Sequence, residues 1–177
     1  KKPYLWSDAE ALRYMNLAFT EWVRRIGGLR DSTSDLTQLV LPADVVTFDL
    51  DPRILRILSA RIPGQSKPID ILAPQDRRAL DGVQRSGTVK ALVFGETESS
   101  LRPIDTPSED TTVTLVIRRL PLDPVTLATS AFEIRAEQVE YLYLGMSYRA
   151  FLKDDPETYD KARSDRDKAA FLSAAAE

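Results

Sequence analysis

The residues best suited to chemistry in this chain are carboxylates that lie close together. Asp49 and Asp51 flank a single leucine, and Asp105, Glu109 and Asp110 crowd the stretch 105–110. Two carboxyl groups a few ångströms apart can share acid and base duty in glycoside hydrolysis, provided the environment pushes one pKa up. Both clusters also hold proline, at Pro52 and Pro107. Aspartate beside proline is what tight turns use, so turn chemistry is the simpler account. Cysteine and histidine are absent. The chain therefore lacks the usual zinc ligands, a thiol nucleophile and the base of a Ser-His-Asp triad. Gly27-Gly28 and Pro63-Gly64 have turn or cap chemistry and not the spacing of a phosphate-binding loop. The basic pairs Arg24-Arg25, Arg77-Arg78 and Arg118-Arg119 are short and read as surface or interface charges. The residues thus point to no catalytic, cofactor or metal site, with paired carboxylates as the one enzymatic alternative.

The elements that must carry these residues fall into three sections. Ser7-Asp8-Ala9-Glu10 is a capping box that opens a helix, and Leu12, Met15, Phe19, Trp22, Val23 and Ile26 recur at spacings of three and four. Gly27-Gly28 ends it. From residue 36 the period shifts towards two: Val46, Phe48 and Leu50 alternate, as do Leu58, Ala60 and Ile62, and later Val113, Leu115 and Ile117. Strands near 89–94 and 99–104 would be joined by a hairpin at Gly95, and a short helical turn is expected at 75–81. Together these predict a small antiparallel sandwich or barrel. Helix returns near Ala136 and is apolar almost all round. One stripe is Val139, Leu142, Tyr143, Met146 and Ala150, and a second is Tyr141, Leu144, Tyr148 and Phe151, interrupted by Glu140, Gly145, Ser147 and Arg149. Such a helix must be covered on two sides, by its own domain or by a neighbouring subunit. Asp155-Pro156-Glu157 predicts the start of a last, polar helix whose tip, 169–176, is apolar again and suits docking. The fold class is therefore α+β: an α-helical bundle from the two ends of the chain, 1–35 and 133–177, with an inserted β subdomain at 36–132.

The 177 residues are enough for one domain with an inserted subdomain, and 24 basic against 27 acidic side chains leave a net charge of −3. That sign does not suit a surface built throughout for nucleic acid. No apolar run is long enough to span a bilayer, and the chain reads as a protein that is soluble in the cell that makes it.

Several strings resemble the head-to-tail adaptors of short-tailed phages, the tail tubular protein A or head completion family. They are the opening Leu5-Trp6-Ser7-Asp8-Ala9-Glu10, the strand-turn-strand Phe48-Asp49-Leu50-Asp51-Pro52-Arg53-Ile54-Leu55 and the strand at 113–121. The lead Phe132-Glu133-Ile134 into Glu137-Gln138 and the stretch 145–158 complete the likeness, with Phe132 where the family usually has proline. The resemblance implies a structural protein without cofactors, made in the host cytoplasm and built into the tail neck of a virion. It would form a ring, typically of twelve copies, between the portal and the tail nozzle, around a channel for ejected double-stranded DNA and away from any membrane. Candidate contacts with a neighbouring subunit or the portal are then the second stripe, Tyr141, Leu144, Tyr148 and Phe151. The last helix adds Tyr159, Arg163, Arg166, Phe171 and Leu172. A virion carbohydrate-binding module or a glycan hydrolase is the alternative.

Overall fold

The computed structural model describes residues 6–76, 85–96, 99–128, 131–154 and 158–176. The chain is mixed α+β and divides into two compact units, one from Arg30–Arg119 and one from the flanking Lys1–Leu29 and Leu120–Glu177.

The flanking unit is helical, with α1 at Asp8–Arg25, α2 at Ala136–Ala150 and α3 at Lys161–Ala174. The Ser7/Glu10 capping box forms as the sequence predicts, with each side chain meeting the other residue's backbone N–H. At the far end of α1 the Gly28 N–H returns to the Val23 carbonyl at 2.8 Å. Gly27 and Gly28 both have positive φ, 79° and 91°, a backbone that glycine adopts without strain. The buried stripe of α1 is Met15, Ala18, Phe19, Trp22 and Val23.

α2 packs against α1 and also against α3; its Leu142, Gly145, Tyr148 and Ala150 are buried, Leu144 and Met146 are half buried, and Tyr143 is exposed. The residues that interrupt its stripes belong to these contacts. A Cβ on Gly145 would lie 2.7 Å from the Phe171 ring and 2.8 Å from the Ala18 Cβ. Glycine is what lets three helices approach at that level. Ser147 donates a hydrogen bond to Asp167 of α3 at 2.6 Å, and Arg149 is paired with Glu21 of α1. The segment before α2 is pinned to α1 by Asn16, whose amide donates to the Val125 carbonyl at 3.0 Å and accepts from the Val125 N–H at 2.7 Å. The last helix starts later than expected: Asp160 caps it by accepting from the Arg163 N–H, and the expected start at 155–157 lies outside the described residues.

The other unit holds the strands β1 at Leu29–Asp31, β2 at Gln38–Leu41, β3 at Phe48–Asp49, β4 at Ile54–Arg61, β5 at Asp70–Leu72, β6 at Ser86–Gly87, β7 at Ala91–Phe94, β8 at Ser100–Ile104, β9 at Thr106–Pro107 and β10 at Thr111–Arg119. One sheet has the order β1-β10-β2, with β4 also on β10; a second has the order β3-β8-β7-β5; and β6 pairs β9. The sheets are mixed and not purely antiparallel as expected, because β5 runs parallel to β7 and β6 parallel to β9. One apolar cluster draws Leu39, Leu41, Ile57, Val113, Leu115 and Ile117 from the first sheet and Leu92 and Leu101 from the second. The expected Leu58-Ala60-Ile62 alternation is broken, since a bulge opposite Val116/Ile117 turns Leu58 outward, 40% exposed, while Ile57 and Ala60 stay inside. The turn expected at 75–81 falls largely outside the described residues.

Asp31 and Arg119 form a buried ion pair whose side chains are 4% and 9% exposed. Asp31 also accepts from the Thr33 and Ser34 N–H groups. Burial works to raise its carboxyl, yet these hydrogen bonds and the guanidinium hold it below the ordinary value of 3.8. The pair fixes the two points at which the chain enters and leaves this unit. The unit spans Arg30–Arg119. Among the described residues no helix is long and apolar enough to cross a membrane.

Candidate interaction surface

A groove of about 600 Å³ opens on the helical unit, between the start of α1, the second half of α2 and the first turns of α3. α1 contributes Ala11 and Tyr14, preceded by Trp6; α2 contributes Tyr143, Leu144, Met146, Ser147 and Ala150, followed by Phe151; α3 contributes Arg163, Arg166 and Asp167.

Its floor is aromatic. Trp6 meets Phe151 edge to face at 5.1 Å, and the Arg163 guanidinium sits 4.1 Å from the centre of the Phe151 ring. The Trp6 indole N–H is buried without an acceptor among the described residues. The wall is charged but internally compensated. Asp167 is buried, which works to raise its carboxyl, but the Ser147 hydroxyl and the Arg166 guanidinium outweigh burial and keep it low and ionised. Arg166 stays largely exposed while bonded to Asp167 at 2.9 Å, and Arg163 is half exposed. The groove therefore offers apolar rings flanked by two outward arginines.

Of the contacts expected from sequence, Leu144, Phe151, Arg163 and Arg166 come together here. Four others do not. Phe171 is fully buried against Trp22 and Tyr148, so the apolar end of α3 is committed to the subunit's own core and does not wait as a free tip. Tyr148 is buried too, its hydroxyl donating to Glu21 at 2.8 Å; burial and that carboxylate raise its pKa to about 12. Tyr141 stacks on Trp22 at 5.1 Å, and Leu172 is half buried. Tyr159 is 53% exposed and stands apart from the groove lining. The sequence reading missed Trp6 and Tyr14 as groove residues. Tyr14 lies beside the buried stripe of α1, and an aromatic at such a position was the available signal.

One carboxylate in each of the two clusters is tied to a neighbouring cation. Asp51 is bound by Arg53, at 2.7 Å between Oδ2 and Nη2, and Asp105 by Lys90, at 2.5 Å; each partner pulls the carboxyl below its ordinary value. A general acid needs the opposite shift. Asp110 accepts from the Ala43 N–H at 3.0 Å, a bond that ties two loops distant in sequence. Among the described residues no group of three or more acidic side chains is placed to hold a metal ion.

No curated protein matches the chain. The model of the SU10 adaptor protein family matches residues 2–177, nearly the whole sequence, and the chain accordingly belongs to that family of phage head-to-tail adaptors.

Proposed function

We propose that this chain is the repeating subunit of a ring, of about twelve copies in the manner of the adaptors it resembles, that joins portal to tail nozzle in the virion neck and lines the channel for ejected DNA. Family membership gives the coarse role, a structural and non-enzymatic virion component that oligomerises and meets portal and tail proteins. In this reading the helical unit is a bundle, the β unit is a sandwich inserted into it, and the groove between α1, α2 and α3 is the seat of the portal. The single observation that carries the groove assignment is its half-buried aromatic floor, with Tyr143 exposed beside it, flanked by Arg163 and Arg166. Aromatic rings and arginine are the side chains enriched where proteins bind proteins. The groove would accept a portal segment with an apolar anchor and a carboxylate or carbonyl for the arginines.

The test is portal binding by Arg163→Glu/Arg166→Glu, read by co-sedimentation. Both arginines also balance the buried Asp167, so the double variant should melt at a lower temperature while staying folded under assay conditions, and should lose roughly tenfold or more in portal affinity. Unchanged affinity would remove the groove from the portal contact.

A further inference from the structure

The first sheet of the β unit has an outer face with an unusual composition. In the register of β10, Val113, Leu115 and Ile117 are buried opposite Leu39, Ala60 and Ile57. The alternate residues face away from that core: Thr112 beside Val40, Thr114 beside Gln38 and Arg61, Val116 beside Ser59, and Arg118 beside Arg56. Arg30 shares this side, because its neighbour Asp31 and the neighbour of Arg118, Arg119, are paired on the buried side. The face therefore presents four arginines, and β1, β2, β4 and β10 put no carboxylate and no lysine on it. Arg30, Arg56 and Arg61 are exposed and have no ion-pair partner among the described residues. Arg56 and Arg118 stand directly opposite each other.

The opposite charge sits at the other end of the same strand. The loop before β10 holds exposed Glu109 and Asp110, and the Asp44 N–H bonds to the Pro107 carbonyl at 2.8 Å, which brings an exposed third carboxylate to that loop. At the rise of a β-strand, these acids lie roughly 13 to 30 Å along the strand from Arg61 and Arg118. Salt screens charges beyond about 8–10 Å, so the two ends cannot neutralise each other within one subunit. They can between two subunits. A ring needs two different, complementary patches on every copy.

We infer that the arginine face of the first sheet receives the Asp44, Glu109 and Asp110 edge of the next copy of this chain. The residue types favour a protein over DNA. A phosphate backbone takes lysine as readily as arginine and has no use for the outward Val40, 52% exposed, or Leu58. Protein interfaces favour arginine over lysine and tolerate such apolar side chains. This inference rests on the reading of the chain as a ring subunit.

The experiment is a charge swap on the full chain, read as ring closure on the portal by electron microscopy, with portal binding by co-sedimentation and melting temperature measured alongside. Arg56→Glu/Arg61→Glu and Asp44→Asn/Glu109→Arg should each stay folded, still bind portal and fail to close rings. The chain carrying all four changes should close them again. If the reversed arginines prevent folding, Arg56→Gln/Arg61→Gln gives the same test, with ring closure lost and the fold kept. Rings that form normally with the arginines reversed would overturn the inference, as would a four-fold variant no better than its parents. Loss of duplex DNA binding alone in the arginine variants, with rings intact, would assign the face to DNA instead. Absence of rings with the unaltered chain would be a failure of the ring reading itself, and this inference would fall with it.

Discussion

Arg119 shows how a single residue can be misread in a sequence and still be legible there. As half of Arg118-Arg119 it looks like surface charge, and Arg118 does face outward. The period of two that buries Val113, Leu115 and Ile117 reaches residue 119 as well, and Arg119 is buried with Asp31 as its partner. What no periodicity supplies is the partner, 88 residues away. Removing one member leaves the other charged and desolvated. Arg119→Met should therefore destabilise the β unit by about 3–5 kcal/mol, measurable by urea unfolding. The pair also sets a pH dependence. The folded Asp31 carboxyl lies below its unfolded value of 3.8, so its contribution is fully present above about pH 4 and is lost as pH falls through the folded value. Unfolding free energy of the unaltered chain should drop on acidification below pH 4, and Asp31→Asn, less stable at neutral pH, should show a shallower drop. Parallel slopes for the two proteins would mean that Asp31 titrates normally.

At the scale of elements, helix starts and buried stripes were readable because they depend on local spacing. The capping box, the Gly27-Gly28 stop and the start of α2 at Ala136 all follow from neighbours in sequence. What covers α2 was not readable. Two apolar faces left a partner subunit and the subunit's own helices as equal candidates, and the structure gives α1 and α3. The residues that decided it are those that seemed to interrupt the pattern. Gly145 in an isolated helix is a liability of about 1 kcal/mol relative to alanine. Here a methyl group would collide with Phe171 and Ala18. Gly145→Ala should therefore destabilise the chain by about 1–3 kcal/mol despite the better helix former, because overpacking outweighs propensity. An increase in thermal stability would show that the helices can part at no cost. Phe171, expected at a docking tip, is core. Phe171→Ala should lower stability by about 3–5 kcal/mol, whereas an exposed tip residue would change it by under about 0.5 kcal/mol. In the β unit the bulges near Leu58 and the parallel pairs β5/β7 and β6/β9 escaped the sequence reading. A bulge resets the phase of a strand, and nothing local announces it.

For the whole molecule, composition was most informative through what it lacks, since no cysteine or histidine leaves little for catalysis, and Asp51 and Asp105 are held low by Arg53 and Lys90. Net charge was less informative. A value of −3 suggests a weakly acidic surface, yet the β unit keeps arginines on one sheet face and carboxylates at the opposite end of β10. The candidate site was legible in part. Leu144, Phe151, Arg163 and Arg166 were found from the second stripe and the polar helix, while Trp6 and Tyr14 needed the folded arrangement, because they join the groove from an element about 140 residues away in sequence. The central claim is that these features serve a ring between portal and tail. The most direct measurement is electron microscopy of the purified chain mixed with its portal. The account predicts a continuous ring of added density on one face of the portal, with the helical unit in contact. A bare portal, at concentrations where the chain is folded and in excess, would contradict it.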